Sequence, residues 1–108
     1  MDLLQLLLNR ALRGGLRAAA VSGTSPSITP VAGTCYDCGS LTSLTVSNPP
    51  ARGAYCIIFS SGATPTYTTI PASVKGLESF AAAANTRYEI NVLDSYALVK
   101  GWPLEVSA

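Results

Sequence analysis

The run Tyr88-Glu89-Ile90-Asn91-Val92-Leu93-Asp94-Ser95-Tyr96-Ala97-Leu98-Val99 decides the fold class. Tyr88, Ile90 and Val92 alternate with Glu89 and Asn91, the period-two pattern of a strand with one face buried and the other wet. Asp94-Ser95 has the length and residue types of a two-residue hairpin loop, and a second apolar run follows it. A helix would repeat its apolar positions every three or four residues, so this stretch reads as an antiparallel pair.

Upstream of the hairpin the chain keeps the same texture, short apolar runs rich in β-branched and aromatic residues bounded by turn formers. The runs predict strands at residues 34–38, 41–47, 54–59, 66–70, 87–93 and 96–102. Asn48-Pro49-Pro50 ends one strand, and Ser60-Ser61-Gly62-Ala63 is expected to close a hairpin. Ala81, Ala82, Ala83 and Ala84 have helix propensity but are too few for a stable helix. The expectation is an all-β fold: a small antiparallel β-sandwich, jelly-roll-like, preceded by an N-terminal amphipathic α-helix.

That helix is read at the start of the chain. Leu3, Leu4, Leu7, Leu8, Ala11 and Leu12 recur at helical spacing, while Asp2, Gln5, Asn9, Arg10 and Arg13 fall mostly on the other side. Asp2 near the start and Arg10 and Arg13 near the end suit the helix dipole, and Gly14-Gly15 supplies the stop. Residues 16–32, with Ser22, Gly23, Thr24, Ser25, Pro26, Ser27 and Pro30, show no periodicity. The domain reading is therefore an oligomerisation or anchoring helix at 1–15, a flexible linker or arm at 16–32, and a β-sandwich at 33–108. A secretory signal fits poorly, because Asp2 stands where a basic residue belongs and Gln5 and Asn9 interrupt the apolar stretch. An organelle transit peptide is disfavoured by the same Asp2.

Composition narrows the chemistry. The 108 residues are 48% hydrophobic and 12% charged, with net charge +1 and no histidine. No imidazole means no Ser-His-Asp triad, no Cys-His pair and no histidine metal ligand. The weak, scattered charge gives no field to attract nucleic acid, and no stretch approaches the length of a membrane span. Neither partner is expected, and no cofactor is expected. A β body of about 75 residues lies near the lower limit for a single core, which points to stability shared between subunits.

The remaining candidates each have a plain alternative. Cys35-Tyr36-Asp37-Cys38 is a CxxC, but only Cys56 stands beside it, too few ligands for structural zinc. Its place in or beside a strand argues against thioredoxin-like chemistry, leaving small semi-buried thiols in a reducing cytoplasm. A disulfide joining Cys35 to Cys38, or Cys38 to Cys56, is the alternative for a secreted protein. Asp2, Asp37, Glu78, Glu89, Asp94 and Glu105 show no local pairing of the kind a glycosidase uses, and turn and surface roles account for Asp94 and Glu89. Trp102, Tyr36, Tyr55, Tyr67, Tyr88 and Tyr96 offer rings either for strand packing or for stacking on a sugar, with Trp102 and Tyr67 the candidate ligand-stacking pair. Gly14-Gly15 lacks the strand before it and the Lys-Ser or Lys-Thr after it that a phosphate loop requires. Arg10, Arg13 and Arg17 form a solvated face or meet a neighbouring subunit or an anionic surface.

A family likeness rests on three stretches: Thr34-Cys35-Tyr36-Asp37-Cys38-Gly39-Ser40-Leu41-Thr42-Ser43-Leu44-Thr45-Val46, Ile58-Phe59-Ser60-Ser61-Gly62-Ala63-Thr64, and Ala84-Asn85-Thr86-Arg87-Tyr88-Glu89-Ile90-Asn91-Val92-Leu93-Asp94. Together with Ile70-Pro71, Val99 and Trp102, they resemble small β-sandwich domains encoded among the virion genes of tailed bacteriophages, particularly those of Gram-positive gut bacteria. The resemblance covers about two thirds of the chain and departs from the pattern in its cysteines and in Asp94-Ser95, where Asp-Gly is expected. It implies a non-enzymatic structural protein of the virion, of head-fibre, capsid-decoration or tail-associated type, assembled in the host bacterial cytoplasm. Such modules often form homotrimers, and Leu3, Leu4, Leu7, Leu8 and Leu12 would mediate oligomerisation or anchoring to capsid or tail proteins. The alternative is a carbohydrate-binding or adhesin module for host attachment, with a surface glycan as partner.

Overall fold

Gly, Pro and Ser interrupt this chain after every few apolar residues, and most interruptions carry it from one sheet to another. The computed structural model describes residues 16–104. Strands β1 (Arg17–Val21), β3 (Thr34–Leu41) and β5 (Ala54–Ser61) lie side by side in one sheet, while β2 (Ser27–Ile28), β4 (Ser43–Val46) and β6 (Tyr67–Thr69) form a second. All of these neighbours are parallel, with Arg17 beside Thr34, Thr34 beside Tyr55, and Ser43 beside Tyr67. The first part of the molecule is thus a stack of coils of about 20 residues each, built like a short solenoid. β7 (Thr86–Leu93) and β8 (Tyr96–Pro103) then add antiparallel to β5, giving the sheet order β1-β3-β5-β7-β8.

The all-β reading stands, but the sheets are mixed rather than antiparallel. Two sequence readings change with it. Residues 16–32 are no free linker: they hold β1 and β2, because the small side chains of Ala18, Ala19 and Ala20 are fixed by pairing with β3. Ser60-Ser61-Gly62-Ala63 closes no hairpin, since Ser60 and Ser61 end β5 and the chain then crosses to β6 in the other sheet. The hairpin at Asp94-Ser95 is as expected: Leu93 pairs with Tyr96, and both turn residues have positive φ (48° and 71°), as a type I′ turn requires. The tetra-alanine stretch is irregular, and no helix among the described residues is long and apolar enough to cross a membrane. The helix read at residues 1–15 lies outside the described residues.

Corners stack as well as strands. Thr24 O accepts from Thr42 N at 2.7 Å, and Thr42 O accepts in turn from Tyr67 N at 3.0 Å. On the opposite edge Ser47 N donates to Ile28 O (2.9 Å) and Gly33 N to Ala54 O (2.7 Å). Each coil therefore satisfies the backbone of the next at the turns, where an isolated loop would need water. At the third corner, buried Thr66 donates its hydroxyl to Leu41 O (2.6 Å) and meets the Ser61 hydroxyl at 2.9 Å.

One core fills the space between the layers, with Tyr55, Ile57, Phe59, Tyr88, Ile90 and Val92 from the larger sheet facing Ile28, Leu44 and Val46 from the smaller. A register shift between Asp37 and Ser40 inserts a bulge in β3, so that Cys38 and Leu41, three residues apart, both point inward. The smaller sheet has nothing to place under β7 and β8. Residues 70–85 take its place: Val74 is buried, and Phe80 meets Tyr88 edge-on at 5.2 Å. The Tyr88 hydroxyl accepts from Ala83 N at 2.6 Å. Gly76 lets this segment approach the hairpin, because at φ +95° a Cβ there would lie 2.7 Å from Ala97 O.

Candidate functional site

Because β-strand side chains alternate, the inward row of the larger sheet leaves a second row facing away from the core. Across it the register aligns Ala18, Cys35, Cys56, Asn91 and Leu98, and beside them Ala20, Asp37, Ile58, Glu89 and Lys100. This outer face is less wet than the alternation suggests. Glu89 is buried and Asn91 half-buried, although Tyr88, Ile90 and Val92 are buried as expected. Glu89 therefore has no surface role: it lies mid-sheet between Ile58 and Lys100 in the register.

Cys35 and Cys56 are neighbours in this face, in register on adjacent parallel strands. With Leu16 and Ile58 they make a small apolar cluster separate from the main core. Hydrogen bonding with Cys56 lowers the Cys35 pKa, outweighing burial and the nearby Glu89 and Asp37 carboxylates. The same bond and burial raise that of Cys56. Cys38 faces the other way, into the main core, where burial pushes its thiol up to about 11. The CxxC spacing thus places its two thiols on opposite sides of the sheet, and all three cysteines are free. Cys38 lies across the sheet from both Cys35 and Cys56, so neither Cys35–Cys38 nor Cys38–Cys56 is placed for a disulfide. Among the described residues no group of three or more metal-ligating side chains comes together. The Cys35–Cys56 pairing leaves little trace in the sequence, where the cysteines stand at unequal positions near the strand starts, second in Thr34-Cys35-Tyr36 and third in Ala54-Tyr55-Cys56.

The outer edge of the sheet is β8. Its outward residues Tyr96 and Leu98 are 70% and 56% exposed, and Leu93 across the turn is 59% exposed. Farther along, Lys100 Nζ lies 5.3 Å from the centroid of the half-buried Trp102 ring, a cation–π contact that occupies part of that ring's surroundings. Tyr67, the other candidate for stacking, is 73% exposed at the start of β6. The structure places these two rings on different sheets, so they make no joint platform. Tyr55 and Tyr88 are core residues, and the Tyr36 hydroxyl accepts from Val31 N at 2.8 Å.

The carboxylates on loops serve turns. Asp94 Oδ1 accepts from Gly53 N at 2.8 Å, and Glu78 accepts from Gly76 N at 3.1 Å. Backbone hydrogen bonds at Glu78 and Gly76 hold the Glu78 carboxyl below its usual range. An open hollow lined by Ile70, Pro71, Val74, Leu77 and Glu78 lies beside this turn, with Glu78 as its charged side chain. Leu3, Leu4, Leu7, Leu8 and Leu12, the oligomerisation or anchoring set, lie outside the described residues. Comparison with protein-family models, with curated proteins and with solved structures found no match to the chain.

Proposed function

We propose that this chain is a non-enzymatic structural component of a tailed-phage virion, of head-fibre, capsid-decoration or tail-associated type. In this reading Leu3, Leu4, Leu7, Leu8 and Leu12 attach it to capsid or tail proteins or join it to further copies of itself as a homotrimer, and the coiled β body is displayed. The observation that carries the reading is the open β8 edge. Leu93, Tyr96 and Leu98 present large apolar side chains to solvent at the outermost strand, which meets Lys75 at Tyr96 and beyond Ala97 pairs with no further strand among the described residues. Exposed edges of that kind are liabilities in an isolated monomer and ordinary in a subunit that meets a neighbour. The sequence resemblance supplies the virion context.

Two measurements test it. Mass spectrometry of purified particles should detect the chain in stoichiometric amounts. Light scattering of the full chain should give a multiple of the monomer mass that falls when residues 1–13 are deleted. A monomer at micromolar concentration, unchanged by that deletion, overturns assembly through the N-terminal segment. The exposed Tyr67 ring favours a second reading, a glycan-binding adhesin module. Glycan-array binding that disappears in Tyr67→Ala while folding is retained supports that reading, and silence across a broad array counts against it.

A further inference from the structure

We propose that Cys35 and Cys56 form a dithiol modification site that a hydroperoxide converts reversibly into an intrachain disulfide. The inference is independent of the virion reading and rests on the outer face of the larger sheet. Three observations converge there. The two cysteines are register partners on adjacent strands, they pack together in one buried cluster, and the third cysteine is turned into the opposite layer.

Neighbouring strands run about 4.7–4.9 Å apart, within the roughly 4.4–6.8 Å between Cα atoms that a disulfide spans. Only a small local shift of the strands is needed to bring the sulfurs together. Registered positions on parallel strands nevertheless hold their Cβ atoms farther apart than the disulfide optimum of about 3.8 Å. Bonding must therefore draw β3 toward β5 and store strain, which makes the bond easy to reduce. A permanent structural staple would call for a relaxed geometry, so a reversible link fits this position better.

The pair is asymmetric, and the asymmetry assigns the roles. Cys35 retains a trace of exposure (5%) while Cys56 has none (0%), and Cys35 is flanked on the edge strand by the small, exposed side chain of Ala18. Cys35 is also the thiol whose pKa its neighbour lowers, which favours its thiolate. Beyond Cys56 in the same row, Asn91 carries a buried Nδ2 donor with no acceptor among the described residues, a polar group next to the second sulfur.

The chemistry balances with hydrogen peroxide, the simplest hydroperoxide, as oxidant. The Cys35 thiolate attacks one peroxide oxygen, forming an S–O bond as the O–O bond breaks. The departing hydroxide takes up the proton that Cys35 released, giving water and a sulfenic acid. Cys56 sulfur then attacks the Cys35 sulfur: the S–S bond forms, the S–O bond breaks, and the leaving hydroxide takes the Cys56 proton as a second water. The pair has lost two electrons and the peroxide has gained them.

The test uses the full chain, reduced and folded, exposed to hydrogen peroxide and analysed by intact mass after thiol alkylation. The expected result is loss of two of the three alkylatable thiols and of the mass of two hydrogen atoms. Peptide mapping should join residues 35 and 56, dithiothreitol should restore all three thiols, and Cys35→Ser should leave Cys56 and Cys38 reduced after the same exposure. Three alkylatable thiols remaining in folded wild-type protein would overturn the proposal. So would a link that involves Cys38, bonds only between chains, or irreversible oxygen addition at Cys35. Wild-type readouts decide the matter even if the serine variant does not fold.

Discussion

The parallel coils of β1 to β6 and the antiparallel hairpin of β7 and β8 obey the same alternation of side chains, yet they find their neighbours in opposite ways. In the hairpin, Leu93 meets Tyr96 across two turn residues, and every further pair follows from that one closure. In the coils, Thr34 must find Tyr55 and Ser43 must find Tyr67, each across an intervening strand of the other sheet. A hairpin is closed locally and its register is set by its turn, whereas a coil is held by corners and by the layer beneath it. β5 belongs to both regions, parallel to β3 on one side and antiparallel to β7 on the other. The two modes of pairing are therefore fastened at a single strand.

Truncating that strand's largest fully buried side chain should have the greatest effect. Phe59 is fully buried and stacks on Tyr88 with ring centroids 5.4 Å apart, so it links the coil core to the hairpin core. Phe59→Ala is expected to cost about 3–5 kcal/mol in chemical denaturation. Trp102, the only tryptophan, sits in β8 and reports on the hairpin, while circular dichroism reports on both regions. Coincident wild-type transitions by the two probes would show one cooperative unit. Separate transitions would break the idea that β5 fastens the regions together.

Alkaline pH probes the same shared core through Cys38. Burial raises its pKa from 9.0 to about 11, so the folded state holds a proton that the unfolded chain releases. The unfolded state binds fewer protons between those values, and stability must fall as pH rises across that window. Below pH 9 the contribution is constant, and above 11 both states are ionised and the loss stops growing, at about 2–3 kcal/mol. Tyr55, also raised by burial, adds a loss of the same sign at higher pH. Denaturation midpoints of wild type and Cys38→Ala followed between pH 8 and pH 11 check this: the variant should show the shallower decline.

The comparison also explains what could be read from the chain beforehand. Tyr88, Ile90 and Val92 announce a buried face, and Asp94-Ser95 announces the turn, because both signals lie within a few residues of what they specify. The same alternation at Tyr55, Ile57 and Phe59 shows which side faces inward but cannot say that β3, not the next strand in sequence, is the neighbour. Coil spacing is uneven, from Arg17 to Thr34 to Tyr55, so no internal repeat betrays it. Ala18 to Ala20 and the two-residue β2 look like linker because their stabilisation is almost wholly from partners distant in sequence. The Cys35–Cys56 pair is hidden for the same reason: it exists only once the register is known. Alternation puts Glu89 on the outer face without saying how well that face is covered.

Corners give the coils their own test. Thr66 sits buried where β5 leaves the larger sheet, accepting from Ser61 Oγ and donating to Leu41 O. Thr66→Val keeps the shape, removes the hydroxyl and leaves Leu41 O and Ser61 Oγ each short of a partner. The cost should be about 1–3 kcal/mol by thermal or urea denaturation. A neutral result would mean that water reaches the corner and that stacked strands alone set the coil path.

The hairpin turn should show the smallest change and the opposite sign. Asp94 and Ser95 both occupy the left-handed region, which Asp tolerates and Ser enters at some cost, so the strain of this turn lies at its second residue. Asp94 offsets part of that by accepting from Gly53 N, and Ser95 by donating to Ala51 O at 3.1 Å. Ser95→Gly removes the strain and gives up only that exposed hydrogen bond, against a more flexible unfolded chain. The net expectation is a gain of about 0.5 kcal/mol, a rise in melting temperature of a few degrees. A loss instead would show that the Ser95 contact to the corner at Ala51, part of the coil edge, outweighs turn strain. The hairpin would then be held by the coils rather than by its own turn, and the contrast between local and distant closure would not extend to the turn itself.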